Sequence, residues 1–147
     1  MTSTALSVPT AADVTAGQEL PTLTFRISRA QLVKYCGASG DFNVIHWNQR
    51  HALSVGLPDV IAHGLCTMGT SGRVVTDWIR DPTRVIEYGV RFSSPVPVAD
   101  DDTGTEITVG AVVAEFDQST GLARIEITAR MGETDVMTRA YAIVQLA

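Results

Sequence analysis

The sequence predicts an α+β domain, and two patterns carry that prediction. Apolar residues at helical spacing mark the first half of the chain, most clearly Leu65, Met68, Val75, Trp78 and Ile79. From Ile86 onward the period falls to two, and strand-like segments follow one another to the C-terminus. Helical segments first and consecutive strands afterwards is the order of an α+β fold. A length of 147 residues suits one domain with a real core. A content of 45% hydrophobic and 18% charged residues is that of an ordinary globular protein.

Residues 1–13 are rich in Ser, Thr, Ala and Pro and are expected to be disordered, leaving a domain over 14–147. Leu23–Ile27 alternates apolar and polar residues as a short strand. Ser28 and Gln31 form a capping box, in which each side chain satisfies a backbone N–H of the other. The helix they open carries Leu32, Val33, Tyr35 and Cys36 and is expected to stop at Gly37. Asn48 caps a short helix containing Ala52 and Leu53, closed by Gly56. The longest helix is predicted over 64–78, with Gly69, Gly72 and Thr76 as a small-residue stripe that lets a sheet or helix approach closely. Ile86, Tyr88, Val90 and Phe92 alternate with Glu87, Gly89 and Arg91 as a half-buried strand ending near Pro95 and Pro97. Further strands at 107–113, 122–130 and 136–146 are separated by turns at 100–104, 117–121 and 131–134, an antiparallel meander. The run Asp100–Asp102 lacks a calcium-loop spacing and reads as a solvated turn.

The chemistry concentrates between Tyr35 and His46. Asp41 and His46 are five positions apart, which suits neither one helix face nor one strand face. For the two to act together the segment must be an irregular loop, and Gly40 and Asn43 favour one. Such a loop could place a carboxylate and an imidazole at one point as an acid/base pair. It could equally be a structural loop in which Asp and Asn bond their own backbone. Asp41, His46 and His63 could in principle be three metal ligands, although their spacing matches no metal motif.

The pattern Tyr35-x4-Gly40-Asp41-x-Asn43-x-x-His46, followed by Ile61-Ala62-His63-Gly64, resembles the signature of the MaoC-like (R)-specific enoyl hydratase/dehydratase family. The resemblance extends from about Val14 to Ala147 and implies a single hotdog fold, an antiparallel sheet wrapped around a central helix. Within the family, the stretches Gly40–Asn43, Ile45–Trp47 and Ala62–Gly69 are similar to the short catalytic subunits of heterodimeric (3R)-hydroxyacyl-ACP dehydratases of type II fatty acid (mycolic acid) synthesis. The resemblance implies reversible dehydration of (3R)-hydroxyacyl thioesters to trans-2-enoyl thioesters, a hydro-lyase reaction. Asp41 and His46 become the catalytic pair, and Asn43, Tyr35 and His63 supporting or substrate-binding residues. Two positions depart from the pattern. Val44 stands where the family usually has Pro, and Gly72 where many hydratases carry a helper Ser; the neighbouring Ser71 would point elsewhere on a helix.

Removing a proton at C2 builds negative charge on the thioester oxygen. An N–H at a helix start is already oriented to stabilise it, which assigns the Gly64 amide as oxyanion donor. In dehydration His46 is expected to take the C2 proton and Asp41 to help protonate the departing hydroxyl; the swapped roles fit the sequence equally. This mechanism requires no metal or organic cofactor. His63 is expected to orient the turn before Gly64.

A net charge of −5 argues against nucleic-acid and anionic-membrane partners. Two cysteines, Cys36 and Cys66, fit a reduced, cytoplasmic protein rather than a disulfide scaffold. The N-terminus has no basic residue before Arg26 and no sustained apolar run, so no signal peptide is expected. The resemblance implies a homodimer, or a heterodimer with a related hotdog subunit, and an acyl-ACP or acyl-CoA substrate. Arg73, Arg80, Arg84 and Arg91 are candidates for a carrier-binding patch, interleaved with Asp77, Asp81 and Glu87. A thioesterase on the same scaffold and a non-catalytic acyl-binding subunit are the alternatives.

Overall fold

The sheet is built from the period-two segments and is antiparallel throughout, in the order β1-β3-β4-β5-β2. These strands are β1 (Leu23–Ile27), β2 (Val85–Phe92), β3 (Thr105–Asp117), β4 (Leu122–Met131) and β5 (Thr134–Gln145). The computed structural model describes residues 8–146. Residues 1–7 of the segment expected to be disordered lie outside the described residues. Ala11–Asp13 forms a 3-10 turn closed by Thr10 and Asp13.

Four α-helices come after the first strand: α1 (Arg29–Ser39), α2 (Gln49–Ser54), α3 (Gly64–Ser71) and α4 (Arg73–Ile79). The Ser28–Gln31 capping box is present in both directions. α1 does not stop at Gly37. It continues to Ser39 and ends at Gly40, whose φ of 75° supplies the left-handed cap and whose N–H reaches the Cys36 carbonyl. Asn48 caps α2 through the His51 N–H, and Gly56 at φ 86° closes its end. The single helix expected over 64–78 is divided at Gly72 into α3 and α4.

The core fills the space between the helices and the concave sheet face. Leu32, Val74, Val75 and Ile79 from the helices meet Ile107, Val109, Val113, Ile125, Ile127 and Val144 from the sheet, all buried. This is the expected hotdog, a sheet around a central helix. The regular alternation expected of β2 is not kept. Two register shifts interrupt its pairing with β5, and Ile86 and Phe92 are 60% and 48% exposed. β2 is an edge strand, so one side of it lacks a neighbour to enforce the pleat. The small-residue stripe contacts the sheet at one position and not the other. A Cβ on Gly72 would lie 2.9 Å from the Tyr88 ring, whereas one on Gly69 would meet nothing within 4 Å.

Candidate active site

Three backbone segments converge on the site. The first is the loop after α1, where Gly40 turns the chain and local bonds fix the next residues in place. The Asp41 carboxylate accepts from the Asn43 N–H at 3.1 Å, and the Asn43 side chain accepts from the Ile45 N–H at 3.3 Å. Asn43 thereby starts a 3-10 turn, Val44–His46, that carries His46 inward. The Trp47 indole donates to the Phe42 carbonyl and closes the loop from behind. The second segment, residues 60–62, pairs with the extended stretch 96–98 through Ala62 N–H to the Val96 carbonyl and Val98 N–H to the Val60 carbonyl, both 2.8 Å. The third is the start of α3.

His46 is buried, and its Nδ1 lies 2.7 Å from the Ile61 carbonyl. A carbonyl can only accept, so Nδ1–H donates to it and Nε2 points away from that bond. That Nε2 stands 4.0 Å from Asp41 Oδ2. The Asp41 carboxylate is half-exposed while the imidazole is shut from solvent. The pair predicted from an odd sequence offset is thus brought together by a capped loop and a 3-10 turn.

His63 does more than orient a turn. It is 1% exposed and its ring stacks on His46, with centroids 3.8 Å apart and planes 25° from parallel. Its Nε2 lies 3.2 Å from the Asp41 carbonyl and 3.6 Å from the Cys36 thiol, so Nε2–H donates to the Asp41 main chain. Nδ1 is buried without a protein partner among the described residues. Tyr35 covers the other side, its ring tilted 56° with centroids 4.7 Å apart. Burial holds the His63 imidazole below its ordinary pKa; the bond to Asp41 works against that and the neighbouring His46 with it. One residue therefore ties the Asp41 loop, His46 and the start of α3 together. The sequence marked His63 as a supporting residue beside Gly64, but not its stacking on His46.

Gly64 is the first residue of α3 and comes directly after His63 in the cap position. Its N–H belongs to the first turn, whose amides have no intrahelical acceptor. A Cβ here would lie 3.1 Å from the Phe92 ring, so only glycine lets β2 and a ligand both approach this amide without displacing the ring. His46, Gly64, Thr67 and Phe92, with Ser93–Val96 and Val136, line a cavity of about 340 Å3. Asp41 stands beside His46 without lining the cavity itself. Ser71 is fully buried, does not line this cavity, and has no partner for its hydroxyl among the described residues.

The donor atoms of Asp41, His46 and His63 lie within 4.8 Å of one another. The two rings stack nearly parallel, so their lone pairs run side by side instead of converging on one point. His46 Nδ1 and His63 Nε2 are also engaged by carbonyls. The arrangement suits proton transfer better than a four-coordinate cation, whose ligands must converge at about 2 Å.

Residues 11–131 match the family described as MaoC like domain, and the chain belongs to that family. It is similar to 3-hydroxyacyl-thioester dehydratase X of Mycobacterium tuberculosis, 31% identical over 112 residues, 71% of this chain and 39% of that protein. It is similar to the (R)-specific enoyl-CoA hydratase of Rhodospirillum rubrum, 29% identical over 104 residues, 70% of this chain and 71% of that one. A solved MaoC-like dehydratase superposes with a TM-score of 0.91 at 37% identity, over 95% of this chain and 43% of the other. The chain thus spans well under half the length of two of these three relatives. No described helix is long and apolar enough to cross a membrane.

Proposed function

We propose that the protein is a hydro-lyase that interconverts (3R)-hydroxyacyl and trans-2-enoyl thioesters. The observation that carries this reading is the orientation of His46, whose Nδ1 is held by the Ile61 carbonyl while its Nε2 faces Asp41 beside a cavity that also holds the Gly64 amide. The thioester oxygen sits against the Gly64 N–H, which takes the charge released when the C2 proton leaves. His46 Nε2 accepts that proton. The C3 hydroxyl departs as water with a proton supplied from the Asp41 side. The proton then returns from His46 to Asp41 across the 4.0 Å gap, bridged by water, and the site is reset. Hydration runs the same steps backward. Asn43 holds the loop, His63 holds both catalytic partners, and Tyr35 packs behind His63. The reaction uses no metal or organic cofactor.

The substrate class is an acyl thioester, on carrier protein or CoA. Of the arginines expected at a carrier mouth, Arg73 and Arg84 are paired with Asp77 and Asp81. A second hotdog subunit, identical or related, pairs along β2, where Ile86 and Phe92 are exposed at the sheet edge and Phe92 already touches Gly64. An enoyl-thioester absorbance assay tests the reading, with free thiol measured in parallel. Loss of enoyl absorbance without thiol release is expected. Thiol release would identify a thioesterase, and tight acyl-thioester binding with neither signal would identify a non-catalytic subunit.

A further inference from the structure

A second cavity, of about 170 Å3, lies on the same helix–strand seam as the first. Gly64 and Phe92 line the first cavity, at the start of α3 and the end of β2. Gly69, Gly72 and Tyr88 line the second, at the end of α3 and further back in β2. β5 floors both, with Val136 under the first and Ala142, the partner of Tyr88, under the second. The two linings come nearest at Thr67 and Gly69 on α3, two positions apart, and at Phe92 and Tyr88 on β2, four positions apart. The walls of the second cavity are apolar apart from Thr76 and the phenol: Val75, Val85, Ile127 and Ala142.

Tyr88 lines the second cavity and not the first. Its ring occupies the space a side chain at position 72 would need, 2.9 Å from a Cβ placed there. Its hydroxyl donates to the Met68 carbonyl at 2.7 Å, pinning strand to helix halfway along the seam. Burial pushes the phenol up to about 12, so it remains a donor at any physiological pH. Position 72 is the one where many hydratases are expected to carry Ser. In this chain a glycine and an aromatic ring from the opposite strand share that space.

We infer that Tyr88 is the residue that sets acyl chain length, its ring closing the α3–β2 seam so that substrates end at the catalytic cavity and do not enter the second one. This rests on the acyl-thioester reading above. A buried methylene typically adds a factor of about four in affinity, so opening the seam should favour long chains steeply. The test measures kcat/KM for trans-2-enoyl-CoAs of four, eight and twelve carbons, and calorimetric affinity for the matching saturated acyl-CoAs. Tyr88→Ala should raise the twelve- to four-carbon ratio at least tenfold, with Tyr88→Leu used if the alanine variant does not fold. Tyr88→Phe keeps the ring and should keep the wild-type ratio. Gly69 has open space around it, so Gly69→Leu added to Tyr88→Ala should fill the second cavity and abolish the gain.

An unmoved ratio in a folded Tyr88→Ala or Tyr88→Leu protein overturns the inference. So does a shift in Tyr88→Phe equal to that of alanine, which would mean general loosening, or a gain that survives Gly69→Leu. A wild-type protein that neither hydrates nor binds any of the series removes the proposed function and this inference with it. Wild-type activity with an unmoved length profile removes the inference alone.

Discussion

The loop from Gly40 to Trp47 and the β3–β4–β5 meander are held by different physics. The loop is fixed by short-range bonds between side chains and backbone: Asp41 to Asn43, Asn43 to Ile45, Trp47 to Phe42. Its apolar residues Phe42 and Trp47 are largely exposed, and of its members His46 alone is buried. The meander is held by area. Val109, Val113, Ile125 and Ala129 are completely buried, and four ladders tie its strands to one another and to β1 and β2. The loop sets the positions of Asp41 and His46, the pair proposed to react; the meander supplies the free energy that keeps the chain folded around them. Damage to the two regions should therefore be separable in rate and in stability.

The sharpest way to break that separation is at the catalytic pair. Asp41→Asn and His46→Ala should each lower kcat for enoyl-thioester hydration by roughly 10²–10⁴, and the double variant should be little worse than the worse single one. Asp41→Asn should leave stability within about 0.5 kcal/mol, since the carboxylate is half-exposed. His46→Ala also strips the Ile61 carbonyl of its donor and should cost about 1–3 kcal/mol in denaturant unfolding. Unchanged turnover in both single variants would reduce the loop to a structural element.

Gly64→Pro removes the oxyanion N–H and should lower kcat on the order of 10²–10³. Gly64→Ala brings the same crowding against Phe92 but keeps the N–H, so it isolates the donor from the steric effect. Equal losses in the two variants would assign the effect to Phe92. In the meander, Ile125→Ala should cost about 2–5 kcal/mol of stability, while turnover per folded molecule stays near wild type. A hundredfold fall in that turnover would show that the sheet and the site are not separable.

The smallest effect lies in pH. His63 has its pKa lowered by folding, so the unfolded chain binds the extra proton more readily than the native one. Its neutral form favours folding fully above the ordinary histidine range, and that contribution is lost as pH falls from about 6.5 toward the lower folded value. The melting temperature of the wild type should therefore fall more between pH 7.5 and pH 5.5 than that of His63→Gln. An equal fall in both would show that His63 does not carry the pH sensitivity.

Much of this was legible in the sequence because it depends on near neighbours. The Ser28–Gln31 box, the Asn48 cap and the turns at 117–121 and 131–134 involve residues within a few positions, and all are present. The strands after Val85 were visible as alternation, and the Asp41–His46 offset required a loop. The missing parts depend on distant contacts. α1 passes Gly37 because a mid-helix glycine only weakens a helix, and the left-handed cap falls at Gly40 instead. The break at Gly72 coincides with Tyr88, sixteen positions away. β2 loses its alternation because an edge strand tolerates bulges. The stacking of His63 on His46 joins residues seventeen positions apart, and no local pattern announces it.

The anchor of His46 is a main-chain oxygen, that of Ile61. Many imidazole bases are oriented by a neighbouring carboxylate, which a single base change can erase and which titrates in its own right. A peptide carbonyl does neither. It exists whatever side chain occupies position 61, and it carries no charge to lose in acid. The residue identity at 61 is thus free to drift under selection for cavity shape, while the tautomer of the base is inherited with the backbone itself.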